Sequence, residues 1–325
     1  MPTALEAVRP IEIDDVREAR KRIGRVIVRT PLVRLELGPE YPDIRLKLEN
    51  LQPINAYKLR GAANAVAMLS DSERERGVWT ISAGNAGQGV AYAAREADVP
   101  STVVVIENAP ASKIERMRSL GAKLIPVPYD VAWKALEDRA FPGAEGTFVH
   151  PFDDYNFIAG HGTMGFEILE DAPDTKTVIA SIGGGGLITG VGSALKALKP
   201  DIQIWGAEPE TAAPAALSFA MGSPQVFHDW KSSFVDGAGG QSVFPRMWER
   251  MKPVVSGCIV VSLEETQKAM RLMAEKARII SEGAGALPLA AALTGKTGKG
   301  PIVVIVSGGN IDLEKFCQLI KLPAT

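Results

Sequence analysis

Short, continuous apolar runs recur along this chain with helical segments between them, and that alternation limits the fold more than any other feature. Val78–Ile81, Thr102–Ile106 and Leu124–Val127 form a first series, and Thr177–Ile182, Ile202–Ala207, Cys258–Val261 and Pro301–Val306 a second. A strand apolar on both faces must be covered on both faces. Helices between successive strands supply that cover, so the pattern predicts βαβ units and parallel sheets. The intervening helices include Gly87–Ala97 and one capped near Ser112 that ends by Gly121. Another helix starts at Asp14 or Asp15 and puts Val16, Ala19, Ile23 and Val26 on one face. Ser262 and Glu265 form a capping box for a helix carrying Leu263, Met270, Met273 and Ala277. The segments Pro142–Gly146 and Gly295–Gly300 read as surface loops. We expect an α/β chain of two parallel-sheet domains. Residues 72–150 form a small domain embedded in a larger one made of 1–71 and 151–325, with the ligand site in the cleft between them.

The 325 residues suffice for two such domains, and the apolar share of 46% with 23% charged residues is ordinary for a globular protein. A formal charge of −2 gives no electrostatic reason to bind nucleic acid or an anionic membrane. Cys258 and Cys317 stand far apart without metal-ligand spacing and read as reduced. No apolar run approaches membrane-spanning length, and Met1–Pro10 lacks the basic and apolar regions of a signal peptide. The expectation is a soluble, cytoplasmic protein acting on a small molecule.

The run Gly183–Gly184–Gly185–Gly186 follows a strand and precedes a helix that begins around Leu187 to Thr189. Glycines there let backbone N–H groups close on a phosphate, aided by the helix N-terminus. A dinucleotide fingerprint is the rival reading, with Glu208 standing as the ribose acid. The required G-x-G-x-x-G spacing fails, however: Gly183 and Gly185 lead to Ile188, and Gly184 and Gly186 to Thr189. Lys58, in Tyr57–Lys58–Leu59–Arg60–Gly61–Ala62, opens a helix that faces the interior. Burial lowers a lysine pKa, and a neutral amine is the form that attacks an aldehyde. Glu49, upstream, is a candidate structural acid near it. Ser82–Ala83–Gly84–Asn85–Ala86–Gly87 reads as a helix start capped by Ser82, and such an N-terminus in a cleft is also a carboxylate site.

Together with Ser307–Gly308–Gly309–Asn310, these segments resemble the fold-type II pyridoxal-phosphate enzymes, and most closely the serine/threonine dehydratases. Lys47–Leu48–Glu49 and Ala56–Tyr57–Lys58–Leu59–Arg60–Gly61–Ala62 match the family's Lys-x-Glu and Ser-Phe-Lys-x-Arg-Gly-Ala, with Ala56 and Tyr57 as departures. His150–Asp154 and Glu282–Ala286 extend the likeness over essentially the whole chain. The resemblance implies the tryptophan synthase β-like fold and pyridoxal 5'-phosphate as cofactor. It implies that Lys58 binds the cofactor covalently and later moves the substrate's α-proton, with Tyr57 beside the ring. Asn85 would meet the phenolic oxygen, Gly183, Gly184, Gly185, Gly186 and Leu187 the phosphate, and Ser307 the ring nitrogen. Ser82, Ala83, Gly84, Asn85, Ala86 and Gly87 would hold the substrate carboxylate. A homodimer follows from the same likeness.

Departures narrow the reaction. Racemases of this group have a second serine where this chain has Ala83, and an alanine transfers no proton. A cation site of the relatives uses the acid of Gly-x-Glu-Pro and a carboxylate six residues on; here Glu208 is present but position 214 is Pro214, so no metal is expected. His161 stands where Gln is common and reads as a packed imidazole. Since Thr325 follows soon after Ser307, the C-terminal regulatory domain of the biosynthetic threonine deaminases is not expected, and a catabolic or otherwise unregulated enzyme is. The reaction implied is dehydration and deamination of a β-hydroxy-α-amino acid such as L-threonine or L-serine, with phenylserine, 3-hydroxyaspartate or a hydroxyectoine-derived compound as alternative substrates. β-Replacement and racemisation are lesser alternatives, and a non-catalytic phosphometabolite-binding protein is the reading from another class.

Overall fold

The structure is a computed structural model that describes residues 7–321 except 108, 110 and 299. The chain opens with α1 (Ile13–Ile23), β1 (Leu32–Leu35), β2 (Ile44–Leu48), a 3-10 turn at Glu49–Leu51, and α2 (Lys58–Ala67). Next come α3 (Asp71–Arg76), β3 (Val78–Ile81), α4 (Asn85–Glu96), β4 (Ser101–Ile106), α5 (Ala111–Ser119), β5 (Lys123–Val127), α6 (Tyr129–Asp138) and β6 (Thr147–Phe148). Then follow α7 (Tyr155–Asp171), β7 (Thr177–Ser181), α8 (Gly186–Leu198), β8 (Gln203–Pro209), α9 (Pro214–Met221) and α10 (Pro245–Met251). The last elements are β9 (Gly257–Val261), α11 (Leu263–Ala277), α12 (Gly283–Leu293), β10 (Ile302–Val306) and α13 (Leu313–Leu319).

Two sheets result. One has four parallel strands in the order β5-β4-β3-β6, and the other six in the order β1-β2-β10-β7-β8-β9. The apolar runs behave as their composition requires: β3, β7 and β10 are buried at every position. In the larger sheet all pairings are parallel but one, since β1 lies antiparallel on β2. The purely parallel expectation fails at this edge because the connection between the two strands is too short for a crossover and makes a hairpin instead. Arg34, Arg45 and Lys47 interrupt the apolar character of these strands, which is why the pattern did not reveal them.

Helix ends shift slightly. α1 starts at Ile13 without a side-chain cap, so Asp14 and Asp15 sit inside its first turn, where negative charge favours the helix. α8 starts at Gly186. The capping box at Ser262 and Glu265 is present, and Met270 and Met273 are buried beneath it.

One cluster pins β2, the following turn, α2 and α7 together. Lys47, Glu49, Arg60 and Glu167 are all buried. Arg60 donates to both oxygens of Glu49 and of Glu167 at 2.7–2.8 Å, and to Thr163 Oγ1 at 3.1 Å. All five guanidinium N–H groups are thereby used. Lys47 donates to Glu167 at 2.5 Å and to the Thr30 carbonyl at 2.6 Å. Glu49 is therefore the partner of Arg60 and not of Lys58. Arg60→Ala would leave two buried carboxylates short of their cation, and the expected loss is about 3–5 kcal/mol. It should appear as a lower urea midpoint with an unchanged slope.

Candidate active site

Ligands of open parallel sheets bind beyond the carboxyl ends of the strands. Here the segments after β2, β3, β7 and β10 meet there, around a cavity of about 430 Å³ lined by Tyr57, Lys58, Ser82–Ala86, Gly183, Gly184 and Ser307. The other wall is Gly237–Gly240, with Asp236 and Glu282 at its ends.

Lys58 is the first residue of α2, and its Nζ donates to the carbonyl of Pro151 at 2.6 Å. It also lies 5.2 Å from the centre of the Tyr57 ring and 5.3 Å from that of Phe157. Loss of water around the ammonium pushes its pKa down to about 7. His161 packs edge-on between Tyr57 and Phe157, fully buried, and burial pushes its pKa well below the usual value. A neutral imidazole adds no charge beside Lys58.

Ser307 is buried at the end of β10, with its Oγ 3.5 Å from that of Ser181 and its carbonyl accepting from the Tyr57 N–H. The glycine run turns from β7 into α8, and Gly185 takes a φ of +85°, which a glycine adopts without strain. A Cβ on Gly184 would stand 2.1 Å from the Phe152 ring, and one on Gly183 would stand 3.0 Å from the Gly237 carbonyl. Gly183 and Gly184 border the cavity, whereas Gly186 and Leu187 are buried in the first turn of α8.

In the loop after β3, Ser82 is not the helix cap. α4 begins at Asn85 with Gly84 before it, and Ser82 Oγ accepts from the Gly84 N–H at 3.1 Å. Gly87 lies behind the cavity, where its missing side chain admits the Met117 sulfur. Asn85 donates to Glu282 at 2.8 Å and accepts from Asn310 at 2.7 Å, and Asn310 accepts from Arg116 at 2.8 Å. Glu282 itself is buried, and burial, reinforced by Asp236, pushes its pKa up to about 7. Sequence reasoning assigned no role to Glu282, Asn310, Pro151 or the stretch 236–240. An acid embedded among small residues, Glu282–Gly283–Ala284–Gly285, was the one signal available for it.

Glu208, the acid of the rejected dinucleotide fingerprint, accepts the Ala215 and Ala216 N–H groups at the start of α9, at 3.0 and 2.8 Å. It serves as a cap remote from the cavity lining.

A family profile described as pyridoxal-phosphate dependent enzyme matches residues 23–308. The chain belongs to this family. It is 38% identical over 317 residues to an L-threonine ammonia-lyase of Thermotoga maritima, covering 96% of this chain and 78% of that one. It is 37% identical over 326 residues to the catabolic L-threonine dehydratase TdcB of Staphylococcus aureus, covering 98% and 94%. Among solved structures, maize serine racemase superposes with a TM-score of 0.86 at 32% identity over 95% of this chain and 97% of that one. The serine racemase of Dictyostelium discoideum does so with a TM-score of 0.85 at 33% identity over 93% and 99%. The cofactor of this chain is pyridoxal 5'-phosphate, and the cavity fits that group. An amine depleted of charge faces a cradle of Cβ-less residues at a helix N-terminus, where first-turn N–H groups lack intrahelical partners.

In the cofactor-free enzyme the folded-state pKa of Lys58 lies below the unfolded value of 10.5. The unfolded chain then binds the extra proton, so stability rises with pH from about 7 to about 10.5. Acetic anhydride labelling of Lys58, followed by peptide mass mapping, should show a midpoint near 7; a midpoint near that of the exposed lysines would refute the burial argument.

Proposed function

We propose that this chain eliminates water from a β-hydroxy-α-amino acid such as L-threonine or L-serine and releases a 2-keto acid and ammonia. The observation that carries the proposal is a desolvated amine, Lys58, sharing one cavity with the neutral hydroxyl of Ser307 and a helix N-terminus suited to a carboxylate. The threonine ammonia-lyase and dehydratase relatives point the same way. When bound, pyridoxal phosphate supplies the electron sink for negative charge developing at the substrate's α-carbon.

The residues divide the remaining tasks. The Ser82–Gly87 loop receives the substrate carboxylate at the positive end of α4. Lys58, whose uncharged form is well populated near neutral pH, removes the α-proton as the β-hydroxyl departs. Loss of the Cα–H and Cβ–O bonds gives water and an enamine, which tautomerises and hydrolyses to the keto acid and ammonia. Gly183 and Gly184, with the first-turn N–H groups of α8 from Gly185 to Leu187, would hold the phosphate, and Tyr57 and the second N–H of Asn85 would bind the rest of the cofactor. Ser307 offers the ring nitrogen no negative charge, which tempers the sink and favours elimination over transamination. Ala83 borders the cavity without an acid or base, which supports elimination over racemisation.

The same reading assigns residues 1–71 and 151–325 to the larger domain and 72–150 to the smaller one, supported by the four strands from Val78 to Phe148 that make one sheet. Pairing of two copies is supported by the exposed Val28, Leu51 and Ile280. Gln52 and Asn50 donate to the carbonyls of Val28 and Ile280 and bring these residues together. Light scattering should give twice the chain mass, and a monomer would dismiss the pairing.

Borohydride reduction of the enzyme followed by peptide mapping should place the cofactor's mass on Lys58. Lys58→Ala should lower ammonia release by at least about a thousandfold and remove the visible absorption of the bound cofactor. Label on another lysine, or turnover surviving in the variant, refutes the assignment.

A further inference from the structure

Beside the cofactor cavity lies a second one of about 420 Å³, and the two share Ala83, Asp236, Ala238 and Gly239 as borders. The second cavity runs away from the carboxylate loop between the two sheets. Its lining is mainly apolar, with Ile106 at the end of β4, Tyr129 at the start of α6, and Trp230 and Val235 opposite; Lys231, Ser232, Ser233 and Asp236 are its polar members. Tyr129 and Trp230 are both exposed, although a tyrosine and a tryptophan are large surfaces to leave in water.

The far wall belongs to the segment between α9 and α10, which carries no helix or strand over residues 222–244. Structureless stretches of that length in compact proteins are commonly functional. This one is tied down along its length. The Lys231 N–H donates to the Thr211 carbonyl at 2.9 Å, Trp230 Nε1 to the Gly239 carbonyl at 3.3 Å, and the Gly239 N–H to the Ile182 carbonyl at 2.8 Å. Gly239 has a φ of +70°, and a Cβ there would meet the Ala212 carbonyl at 2.4 Å, so the wall is held against its neighbour. The chain has thus fixed an irregular segment so that a tryptophan borders a space opening off the cofactor cavity.

We propose that this second cavity is the subsite for the substrate's β-substituent, and that it takes a ring-sized apolar group larger than the methyl of threonine. The inference rests on the proposed placement of the substrate carboxylate at the Ser82–Gly87 loop, and on the elimination reading for its reaction but not for its binding. A carboxylate on the Ser82–Gly87 loop sets the substrate beside Ala83, and Ala83 is where the two cavities join. The methyl of threonine would fill little of a cavity of about 420 Å³.

The test uses the holoenzyme and two amino acids that lack the leaving hydroxyl, L-phenylalanine and L-alanine, titrated calorimetrically into the wild type and into a Tyr129→Ala/Trp230→Ala variant. Trp230→Ala also removes the hydrogen bond to the Gly239 carbonyl, so Tyr129→Ala alone is titrated as well and should lose part of the preference, and cofactor absorption checks that the site is intact in both variants. L-Phenylalanine should bind about tenfold or more tighter than L-alanine, and the variant should lose most of that preference. Turnover of L-phenylserine should likewise exceed that of L-threonine in kcat/KM by about tenfold, with the ratio falling in the variant. Equal or tighter binding of L-alanine, or a variant that weakens both ligands alike, overturns the subsite. If no hydroxyamino acid releases ammonia, the elimination reading fails while the titration still decides the subsite. If only threonine and serine react and phenylalanine does not bind, the reaction stands and the subsite falls.

Discussion

Arg60, held between Glu49 and Glu167, is the interaction on which the rest of the site depends. Moving ions of this kind out of water costs several kcal/mol each, and their attraction offsets it only when the geometry satisfies every donor. Arg60 meets that condition with all five of its N–H groups, and Thr30 and Lys47 add hydrogen bonds to the two carboxylates. The arrangement does not promise more stability than an apolar core would. What it fixes is position: Arg60 lies two residues into α2, so anchoring its guanidinium to β2, the following turn and α7 sets where the first residue of α2 stands. That residue is Lys58.

From this fixed point the cavity is assembled by adjacency in the sheet. β10 lies between β2 and β7, which places Ser307 beside both the lysine helix and the glycine run. Backbone contacts tighten the junction: Ala56 bridges to Gly308, and the Gly309 N–H donates to the Asn55 carbonyl at 2.9 Å. The chain of Arg116, Asn310, Asn85 and Glu282 then ties α5, the loop after β10, α4 and α12 together behind the cavity. The pKa of Lys58 is lowered by desolvation alone, while Glu49 and Glu167 are engaged by Arg60 and Lys47.

The parts legible in the sequence were those set by local rules. Strands buried on both faces declare themselves as unbroken apolar runs, and β3, β7, β9 and β10 lie within a residue or so of where such runs placed them. Four glycines in a row have few other uses than a tight, donor-rich turn. What could not be read depended on distant partners. The basic residues in β1 and β2 hid two strands because their charges are neutralised by Glu167 or by Asp43 and Asp174, far along the chain or across a turn. Ser82 looked like a cap because spacing does not reveal that its hydroxyl is turned back to Gly84. The wall from 236 to 240 has no periodicity to betray it, since its conformation comes from single hydrogen bonds to other elements.

One contact crosses the open side of the cleft in a different manner. Lys113, on α5, meets Asp236 at 2.6 Å, and the aspartate side chain is half exposed. A pair so placed contributes about 1 kcal/mol or less and is screened by salt. The front of the cleft is therefore fastened by a pair that dissolved ions weaken. Its back is held by the hydrogen bonds among Asn85, Asn310 and Glu282, so salt acts on one side of the cleft more than on the other.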